Sequence, residues 1–393
     1  GTVTAPMTSF EAQNGGVVID PGVQNIVVRR IILFVGGITN TNKLTVGNND
    51  ASLNNIQFGN TSAGAPTDAG VFDTSPVFDL GTGGLNISYL RTVNQRSTGA
   101  EIPANRTITN LVHDNNDPTH VLTIEGGDLT VSGILALTNG VIRTESTVFG
   151  GGGNTLIHSG ATVTRTTGFV EGRLARPFSA PGTYTFHVGR GVYSPTTATV
   201  TAVGTSPSTL TAEAFSTVPS GFDPARTAAR HWSLTETGDL TANLTFTVPA
   251  ADVNGDASDY RVYRGFTNMC AGGPCYNTGT NVAGPVNDVT EFSLWSVGEL
   301  QEPSLPASAT IIGRALRANG TPIQYATITL SGGGLGTPIV ARTNGFGYYW
   351  FVDLPTGVTY TVTAEARSFT FTNPSVQVFL TNDIGNLNFL AQP

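Results

Sequence analysis

Residues 121–144 read VLTIEGGDLTVSGILALTNGVIRT, and this stretch is the most informative about the fold. It contains four short segments in which apolar and β-branched side chains recur with the alternation typical of strands. The segments are 121–124, 128–131, 134–137 and 141–144, and they are separated by turns at Gly126-Gly127, Gly133 and Asn139-Gly140. Short strands at such regular intervals favour the stacked rungs of a β-solenoid, and a meander of hairpins is the alternative.

The composition of the whole chain supports an all-β class. Of the 393 residues, 12% are charged and 39% are hydrophobic, while Gly contributes 48, Thr 58 and Ser 24. Long helices and coiled coils need more Ala, Glu, Lys and Leu, and charged disorder needs fewer apolar residues. We therefore predict an all-β protein in which a solenoid-like or meander N-terminal region precedes two β-sandwich domains.

The charge pattern argues against two classes of partner. The formal net charge is -8 and Lys43 is the single lysine of the sequence, so no basic cluster is present to bind nucleic-acid phosphates. The longest strongly apolar stretch, 26–35, is interrupted by Arg29 and Arg30 and is too short to cross a bilayer. We predict a protein with no nucleic-acid partner and no membrane span.

Changes in the pattern divide the chain into four regions. They are a β-rich region with solenoid-like rungs at 1–168, an Ig-like β-sandwich at 169–300, a linker at 301–309 and a compact sandwich at 310–393. Residues 223–230 (DPARTAAR) are the best helix candidate, with Asp223 as N-cap and Pro224 at the first helical position.

The motifs of the last region resemble a known family. They are IGR at 312–314, NGTPI at 319–323, ATITL at 326–330, TNGFGYYWF at 343–351 and LPTGVTYTV at 354–362. This region is similar to the carboxypeptidase regulatory-like domain, which is a small transthyretin-like sandwich. The resemblance implies an accessory, non-catalytic module of extracellular and cell-surface proteins.

The remainder is similar to repetitive bacterial surface proteins in which a β-helix-like section is followed by a sandwich. The similar stretches are LTVG at 44–47, GDLTVSG at 127–133, LALTNG at 135–140, GFVEGRL at 168–174, YTFHVG at 184–189 and FSLWSVGE at 292–299. This resemblance implies secretion and a structural or adhesive role, and it names no ligand.

The sequence offers no arrangement that we would assign to catalysis. It lacks the G-x-S-x-G turn of a serine hydrolase, and its 27 acidic residues do not single out a glycosidase pair. The five histidines lie mostly in strand patterns, where hydrogen-bonded structural histidines are expected. We predict that the protein is not an enzyme, has no catalytic residues and uses no cofactor.

Cys270 and Cys275 are predicted to form a disulfide. They enclose Ala-Gly-Gly-Pro, a short turn-forming loop that a local bridge could close in an oxidising compartment.

Asp252, Asn254 and Asp256 are a weak calcium candidate, because they place oxygen atoms at alternate positions. The twelfth position of this loop is Tyr263, where an EF-hand requires a bidentate Glu. An Asx-rich turn is the preferred interpretation, and we predict no metal site.

Five N-x-S/T sequons are candidates for N-glycosylation, at Asn60, Asn86, Asn105, Asn243 and Asn319. A chain this rich in Asn, Ser and Thr contains about that many by chance, so their number is not evidence of modification. They make covalent glycans a prediction only because the chain has the character of an extracellular protein.

The first ten residues, GTVTAPMTSF, alternate Val3, Ala5 and Met7 on one face with threonines on the other. Such a strand could add to the open sheet edge of a neighbouring subunit, or it could pair within its own chain. In the first case a head-to-tail contact between identical subunits would repeat into a filament.

We therefore predict a structural subunit of an extracellular bacterial fibre or surface appendage, assembled head-to-tail by strand pairing. The alternative is a secreted adhesin that binds a glycan or a host protein through loops of a sandwich. Exposed aromatic side chains would favour the adhesin, and we expect Trp295, Tyr349 and Trp350 to lie in the core because each is in a strand pattern.

Overall fold

The computed structural model describes residues 8–12, 15–23, 25–34, 36–59, 69–91, 95–115, 117, 121–144, 153–270, 272–301 and 308–392. Strands account for more than half of the described residues, and the helices within the described ranges are three short 3-10 turns. The all-β class is confirmed. The chain divides into two compact units, Gly1–Gln301 and Glu302–Pro393.

The first unit begins with short strands that stack in rungs of three. Successive rungs are β1 (Phe10–Ala12), β2 (Val17–Val18), β3 (Ile26–Val28); β4 (Arg30–Leu33), β5 (Gly36–Thr39), β6 (Leu44–Val46); β7 (Asn54–Gly59), β8 (Ala69–Phe72), β9 (Val77–Phe78); β10 (Leu85–Leu90), β11 (Arg96–Ser97), β12 (Thr107–Ile108); β13 (Asn110–Asp114), β14 (Leu122–Thr123), β15 (Leu129–Val131); β16 (Ile134–Asn139), β17 (Val141–Arg143), β18 (Thr155–His158); and β19 (Thr162–Arg165), β20 (Phe169–Glu171), β21 (Arg173–Phe178). A 3-10 turn, Thr41–Lys43, lies in the second rung.

The rungs pair in parallel. The first strands of the rungs form one sheet in the order β1-β4-β7-β10-β13-β16-β19, and the second and third strands form shorter parallel ladders. Ile87 pairs with Leu111 and Leu111 with Leu135, a step of 24 residues. Hairpins produce antiparallel pairs, so this pairing has the arrangement of a coiled solenoid and not that of a meander.

Stacking places identical positions of successive rungs in buried columns. One column contains Ile31, Ile56, Ile87, Leu111 and Leu135, all at most 1% exposed. Each rung is too small to enclose a core alone, so its apolar side chains are covered by the rungs above and below.

The second half of the first unit contains mainly antiparallel strands. They are β22 (Gly182–Phe186), β23 (Val188–Arg190), β24 (Val192–Tyr193), β25 (Thr196–Phe215), β26 (Phe222–Thr247), β27 (Arg261–Arg264), β28 (Thr267–Asn268), β29 (Tyr276–Asn277), β30 (Val282–Val289) and β31 (Leu294–Leu300). The longest of them are β25 and β26, with 20 and 26 residues. Two further 3-10 turns, Ala250–Asp252 and Ala257–Asp259, precede β27.

The strand β21 joins these two halves. It pairs in parallel with β18 on one side and antiparallel with β25 on the other, so one sheet continues from the rungs into the long strands. The buried core is continuous as well, from Leu135 in the rungs to Trp232 and Trp295 beyond them. The boundary predicted at residue 168 therefore lies inside a single compact unit.

The helix predicted at 223–230 is wrong, because these residues belong to β26. This strand pairs with β25 along one edge and with β31 and β30 along the other. Within residues 223–230 the partner is β31, with Thr227 opposite Gly298, and the pairing with β25 begins at His231. This pairing outweighs the local start signal, and the Asp223 carboxylate accepts a hydrogen bond from the backbone N–H of Ala225 at 2.9 Å.

The second unit is a two-sheet sandwich with its own core. Its strands are β32 (Ser308–Leu316), β33 (Thr327–Gly332), β34 (Ile339–Arg342), β35 (Tyr348–Pro355), β36 (Val358–Glu365), β37 (Ser375–Leu380) and β38 (Phe389–Leu390). One sheet has the order β35-β32-β38 and the other β34-β33-β36-β37. The core between them includes Ile311, Ile328, Tyr349, Tyr360 and Phe389.

Candidate assembly and modification sites

The predicted assembly strand with Val3, Ala5 and Met7 lies outside the described residues, as do Asn60 and residues 302–307 of the predicted linker. The first described strand, β1, pairs in parallel with β4, from Phe10 with Ile31 to Ala12 with Leu33. The assembly strand at residues 1–10 therefore remains a prediction from the sequence.

Two sequons lie in exposed turns. The side-chain oxygen of Asn105 accepts a hydrogen bond from the Thr107 backbone N–H at 3.1 Å, and Asn319 makes the same contact with Thr321 at 3.1 Å. Both asparagines are exposed, so a glycan could be attached at either position without displacing core residues.

Asn86 is placed differently, in a ladder of asparagines on the outside of the rungs. Its side-chain N–H donates to Asn55 at 3.0 Å, and its oxygen accepts from Asn110 at 2.6 Å. A glycan attached to its amide nitrogen would break the first contact, so Asn86 is a poor acceptor. Asn243 is half-buried in β26, where its oxygen accepts from the Asp288 backbone N–H at 2.9 Å.

Cys270 and Cys275 are joined by a disulfide, with their Cα atoms 5.6 Å apart. The bridge closes the loop between β28 and β29, and both cysteines pack against the core of the first unit. The backbone N–H of Val262 also donates to the Cys270 sulfur at 3.0 Å. The loop is thereby held against β27.

The three calcium candidates serve three different partners. The Asp252 carboxylate accepts from the buried Arg230 guanidinium at 2.5 Å and 2.9 Å. Asn254 donates to the Thr227 carbonyl at 2.9 Å, and Asp256 accepts from the Ser258 backbone N–H at 2.9 Å. A cation at Asp252 would face the charge of Arg230, so the Asx-turn interpretation describes this segment better.

Four of the five histidines are described, and burial is the main cause of a lowered pKa for each of them: His113, His158, His187 and His231. His158 contacts the Tyr184 hydroxyl at 3.0 Å and His187 contacts the Tyr193 hydroxyl at 2.7 Å. Among the described residues, neither ring nitrogen of His113 has a hydrogen-bond partner. His113 therefore departs from the hydrogen-bonded structural histidine that the sequence predicts.

An apolar sheet face on the second unit was not predicted from the sequence. We give this name to the outward side chains of the β35-β32-β38 sheet, which are Ile312, Tyr348, Trp350, Val352 and Leu390. Trp295 and Tyr349 lie in the core as expected, but Trp350 is 54% exposed, so its expected burial is wrong. The sequence YYWFV at 348–352 could have predicted this face. Its side chains are apolar at both the odd and the even positions, so one of the two sets must lie on the side of the strand that faces away from the core.

The Arg314 side chain holds one end of the apolar sheet face in place. The Arg314 guanidinium carbon lies 4.6 Å from the centre of the Tyr348 ring, and its nitrogens donate to the Phe346 carbonyl at 3.2 Å and 2.9 Å. Cation–π contact and hydrogen bonding together limit the rotamers of Tyr348. The face is thus partly preorganised.

Comparison with known families identifies the second unit. The family described as the carboxypeptidase regulatory-like domain matches residues 310–389. The C-terminal domain is therefore carboxypeptidase regulatory-like, as the motifs between residues 312 and 362 predict. No curated protein matches the sequence of the chain.

Solved structures that are similar to the chain include a bacterial pilin subunit, a bacterial adhesin and the TIE protein of Bacillus anthracis. The Bacillus anthracis TIE protein is 9% identical with a TM-score of 0.18, and the match covers 56% of this chain and 41% of that chain. The major pilin subunit BcpA of Bacillus cereus is 10% identical with a TM-score of 0.18, covering 59% and 74%. A Mobiluncus mulieris adhesin with intramolecular disulfide, isopeptide and ester cross-links is 9% identical with a TM-score of 0.16, covering 54% and 98%.

These TM-scores are low, and this chain spans less than half of the TIE protein. We therefore base the proposed function on residues of the chain itself. Across the described ranges, no helix combines the length and the apolar character needed to cross a membrane.

Proposed function

We propose that this protein is a structural subunit of an extracellular bacterial fibre or surface appendage, assembled head-to-tail by strand pairing between copies. The observation that carries the proposal is the continuity of the first unit, in which β21 links parallel rungs to antiparallel strands within one hydrogen-bonded sheet. Backbone hydrogen bonds across such a sheet resist extension together, which suits a load-bearing subunit.

Two further features support this role. The disulfide between Cys270 and Cys275 is the kind of bridge that persists in oxidising compartments outside the cytoplasm. The apolar sheet face of the second unit offers a surface that packing against another subunit would cover. We propose a cell-surface location on these grounds, together with a non-enzymatic role.

Covalent glycans on the exposed turns are a part of the proposal that can be tested separately. We expect occupancy at Asn105 or Asn319 rather than at Asn86, because the amide of Asn86 is engaged in the asparagine ladder. Glycopeptide mass spectrometry of the native material measures the occupancy of each site. Occupancy confined to Asn86 would contradict this expectation.

Electron microscopy of the native material, with intact mass on the same sample, tests the proposed function. We expect regular fibres whose axial repeat corresponds to one copy of the chain. Isolated monomers at high concentration, with no fibres, would contradict the structural role. A polysaccharide-cleavage screen tests the non-enzymatic part, and turnover by the purified chain would overturn it.

An adhesin that binds a glycan is the second candidate function. The exposed ring of Trp350 favours it, because a planar aromatic side chain at the surface can stack on a sugar ring. A glycan array probed with the chain and with the Trp350→Ala variant distinguishes the candidates. Binding that depends on Trp350, by a chain that forms no fibres, would replace the structural role by the adhesive one.

A further inference from the structure

We propose that β35 is the acceptor strand of the assembly, and that residues 1–10 of a second copy of the chain add to its open edge. This inference rests on the proposed function and deepens it, because it names the surface where two copies meet. The occupant is an uncharged segment in which apolar side chains alternate along the sequence.

The first observation is that β35 has an open edge. It has eight residues and, among the described strands, pairs with β32 alone, from Arg314 with Tyr348 to Ser308 with Pro355. Edge strands expose backbone N–H and C=O groups to which another strand can bind, and proteins usually protect them with Lys, Pro or a bulge. Here the protective features come late, at Asp353 with its positive φ of 56° and at Pro355. At the start of the strand, Asn344 bonds both the backbone N–H and the C=O of Tyr348. Residues 349–352 contain no Lys or Pro, so the open stretch of the edge is centred on Trp350 and Val352.

The second observation is the chemistry of the side chains along this edge. Tyr348, Trp350 and Val352 lie at alternate positions and are 40%, 54% and 56% exposed. A strand added to the edge would place its own alternate side chains beside them as cross-strand neighbours. Val3, Ala5 and Met7 have the same two-residue spacing. Pairing would therefore extend the apolar sheet face and cover part of it.

The other edges of the second unit are less suitable. The strand β34 has four residues and ends at Arg342, and β38 has two residues. The remaining edge, β37, has six residues, of which Ser375 and Gln377 are exposed and polar and Phe379 is exposed and apolar. Only β35 presents three exposed apolar side chains in succession among these described edges.

The third observation is the distribution of charge between the units. Residues 1–301 contain 15 Lys and Arg against 23 Asp and Glu, whereas residues 302–393 contain four of each. Two first units of adjacent copies would repel one another, while contact with the neutral second unit carries no such penalty. Residues 1–10 contain no charged side chain, so they can approach β35 without desolvating one.

The three tryptophans provide a direct reporter of docking. Trp232 and Trp295 are fully buried in the first unit, whereas Trp350 is exposed on β35. Iodide quenching of fluorescence therefore reports mainly on Trp350. We expect the quenchable signal to fall at least about twofold when the chain assembles, because a docked strand shields the ring.

A matched pair of variants of the full chain tests which edge is used. Trp350→Lys places a charge on the β35 edge, and Phe379→Lys places the same charge at a similarly exposed position on the β37 edge. We expect Trp350→Lys to raise the critical concentration for assembly about tenfold or more, and Phe379→Lys to leave it within about twofold. Circular dichroism of both variants checks that each one folds.

A synthetic peptide of residues 1–10 tests the donor. Added in excess to the dilute full chain, it is expected to protect Trp350 from iodide, whereas a peptide with Val3→Asp and Ala5→Asp is not. Fibres in which Trp350 stays as quenchable as in the dilute chain would overturn the inference and leave the proposed function intact. Equal loss of assembly in Phe379→Lys, or no protection by the peptide, would overturn it as well. A wild-type chain that never forms fibres would instead overturn the proposed function itself.

Discussion

The rungs of the first unit and the sandwich of the second unit use alternating strands in opposite ways. In the rungs, Leu111 and Leu135 point into a buried column while Asn86 and Asn110 form a polar ladder outside. In the sandwich, β35 buries Tyr349 in the core and still leaves Trp350 at the surface. A stacked rung is covered by the rungs next to it, whereas an edge strand is covered on one side only. An apolar side chain in a strand therefore has a different environment in the two regions. In the rungs it belongs to a buried column, and on the edge strand of the sandwich it lies at a surface that another chain could contact.

The largest effect is expected in the column. Leu111→Ala should lower the free energy of unfolding of the first unit by about 4 kcal/mol, because it leaves a cavity between two rungs that cannot collapse easily. Val352→Ala on the exposed edge is the control and should change stability by less than about 0.5 kcal/mol. Urea unfolding of both variants measures the difference. Equal effects would mean that the two regions do not differ in how they use their apolar residues.

The next largest difference is expected at low pH, where the first unit should lose more stability than the second. Burial lowers the pKa of His113 from 6.5 to about 4, and the raising effect of the Asp114 carboxylate is smaller. As the pH falls from 6.5 to 4, the unfolded chain takes up a proton at this position that the folded chain does not. The first unit should lose about 3 kcal/mol over this range through His113, with no further loss from this group below pH 4.

The second unit contains no histidine, so it provides the internal comparison for this effect. Hydrogen exchange followed by mass spectrometry at pH 6.5 and pH 4, corrected for intrinsic rates, reports the two units separately. His113→Leu introduces the same side chain as Leu137, its partner in the next rung. This variant should lose less unfolding free energy in the first unit between pH 6.5 and pH 4. A loss that is equal in both units would contradict a histidine origin.

Reduction of the disulfide should have a smaller effect, again confined to the first unit. Freeing Cys270 and Cys275 should lower the free energy of unfolding by about 2 kcal/mol, because the closed loop is short and little chain entropy is regained. Thermal unfolding with and without a reductant measures this change. The Cys270→Ala and Cys275→Ala double variant should reproduce it, and a reductant effect that persists in that variant would have another cause.

The smallest effect is expected on the outside of the rungs. Asn86→Ala should cost about 1 kcal/mol, because it removes two side-chain hydrogen bonds from a half-exposed ladder. Gln377→Ala, at an exposed position of β37, is the control in the second unit. Urea unfolding compares the two variants. A cost at Asn86 no larger than that at Gln377 would mean that the ladder adds nothing to stability.

The sequence was sufficient to predict the class and the regular parts of the fold. Leucines and valines between glycine turns at 121–144 predicted the rungs, since each rung repeats the same local pattern. The motifs around Asn319 and Tyr349 predicted the C-terminal domain, and the family match agrees. Parallel pairing, by contrast, could not be separated from hairpins, because it is determined by which rung lies next to which.

The long strands and the surface contacts were harder to predict for a physical reason. The 26 residues of β26 contain a local helix-start signal at 223–230, and pairing of this part with β31 overrides it. The engagement of Asn86 and Asp252 depends on Asn55, Asn110 and Arg230, which are distant in sequence. Exposure of Trp350 depends on β35 being an edge, which is a property of the sheet order.

The two-sided pairing of β21 also has a consequence for how such chains can vary in length. The long antiparallel strands pair with the last rung, and His158 of the rung before it contacts Tyr184. Inserting or deleting a whole rung before β16 therefore leaves these attachments unchanged. Each inserted rung would lengthen the stack by about 4.8 Å, the spacing of neighbouring strands. Natural variants of this architecture should therefore differ by whole multiples of a rung, with the segment from β21 onward kept at constant length.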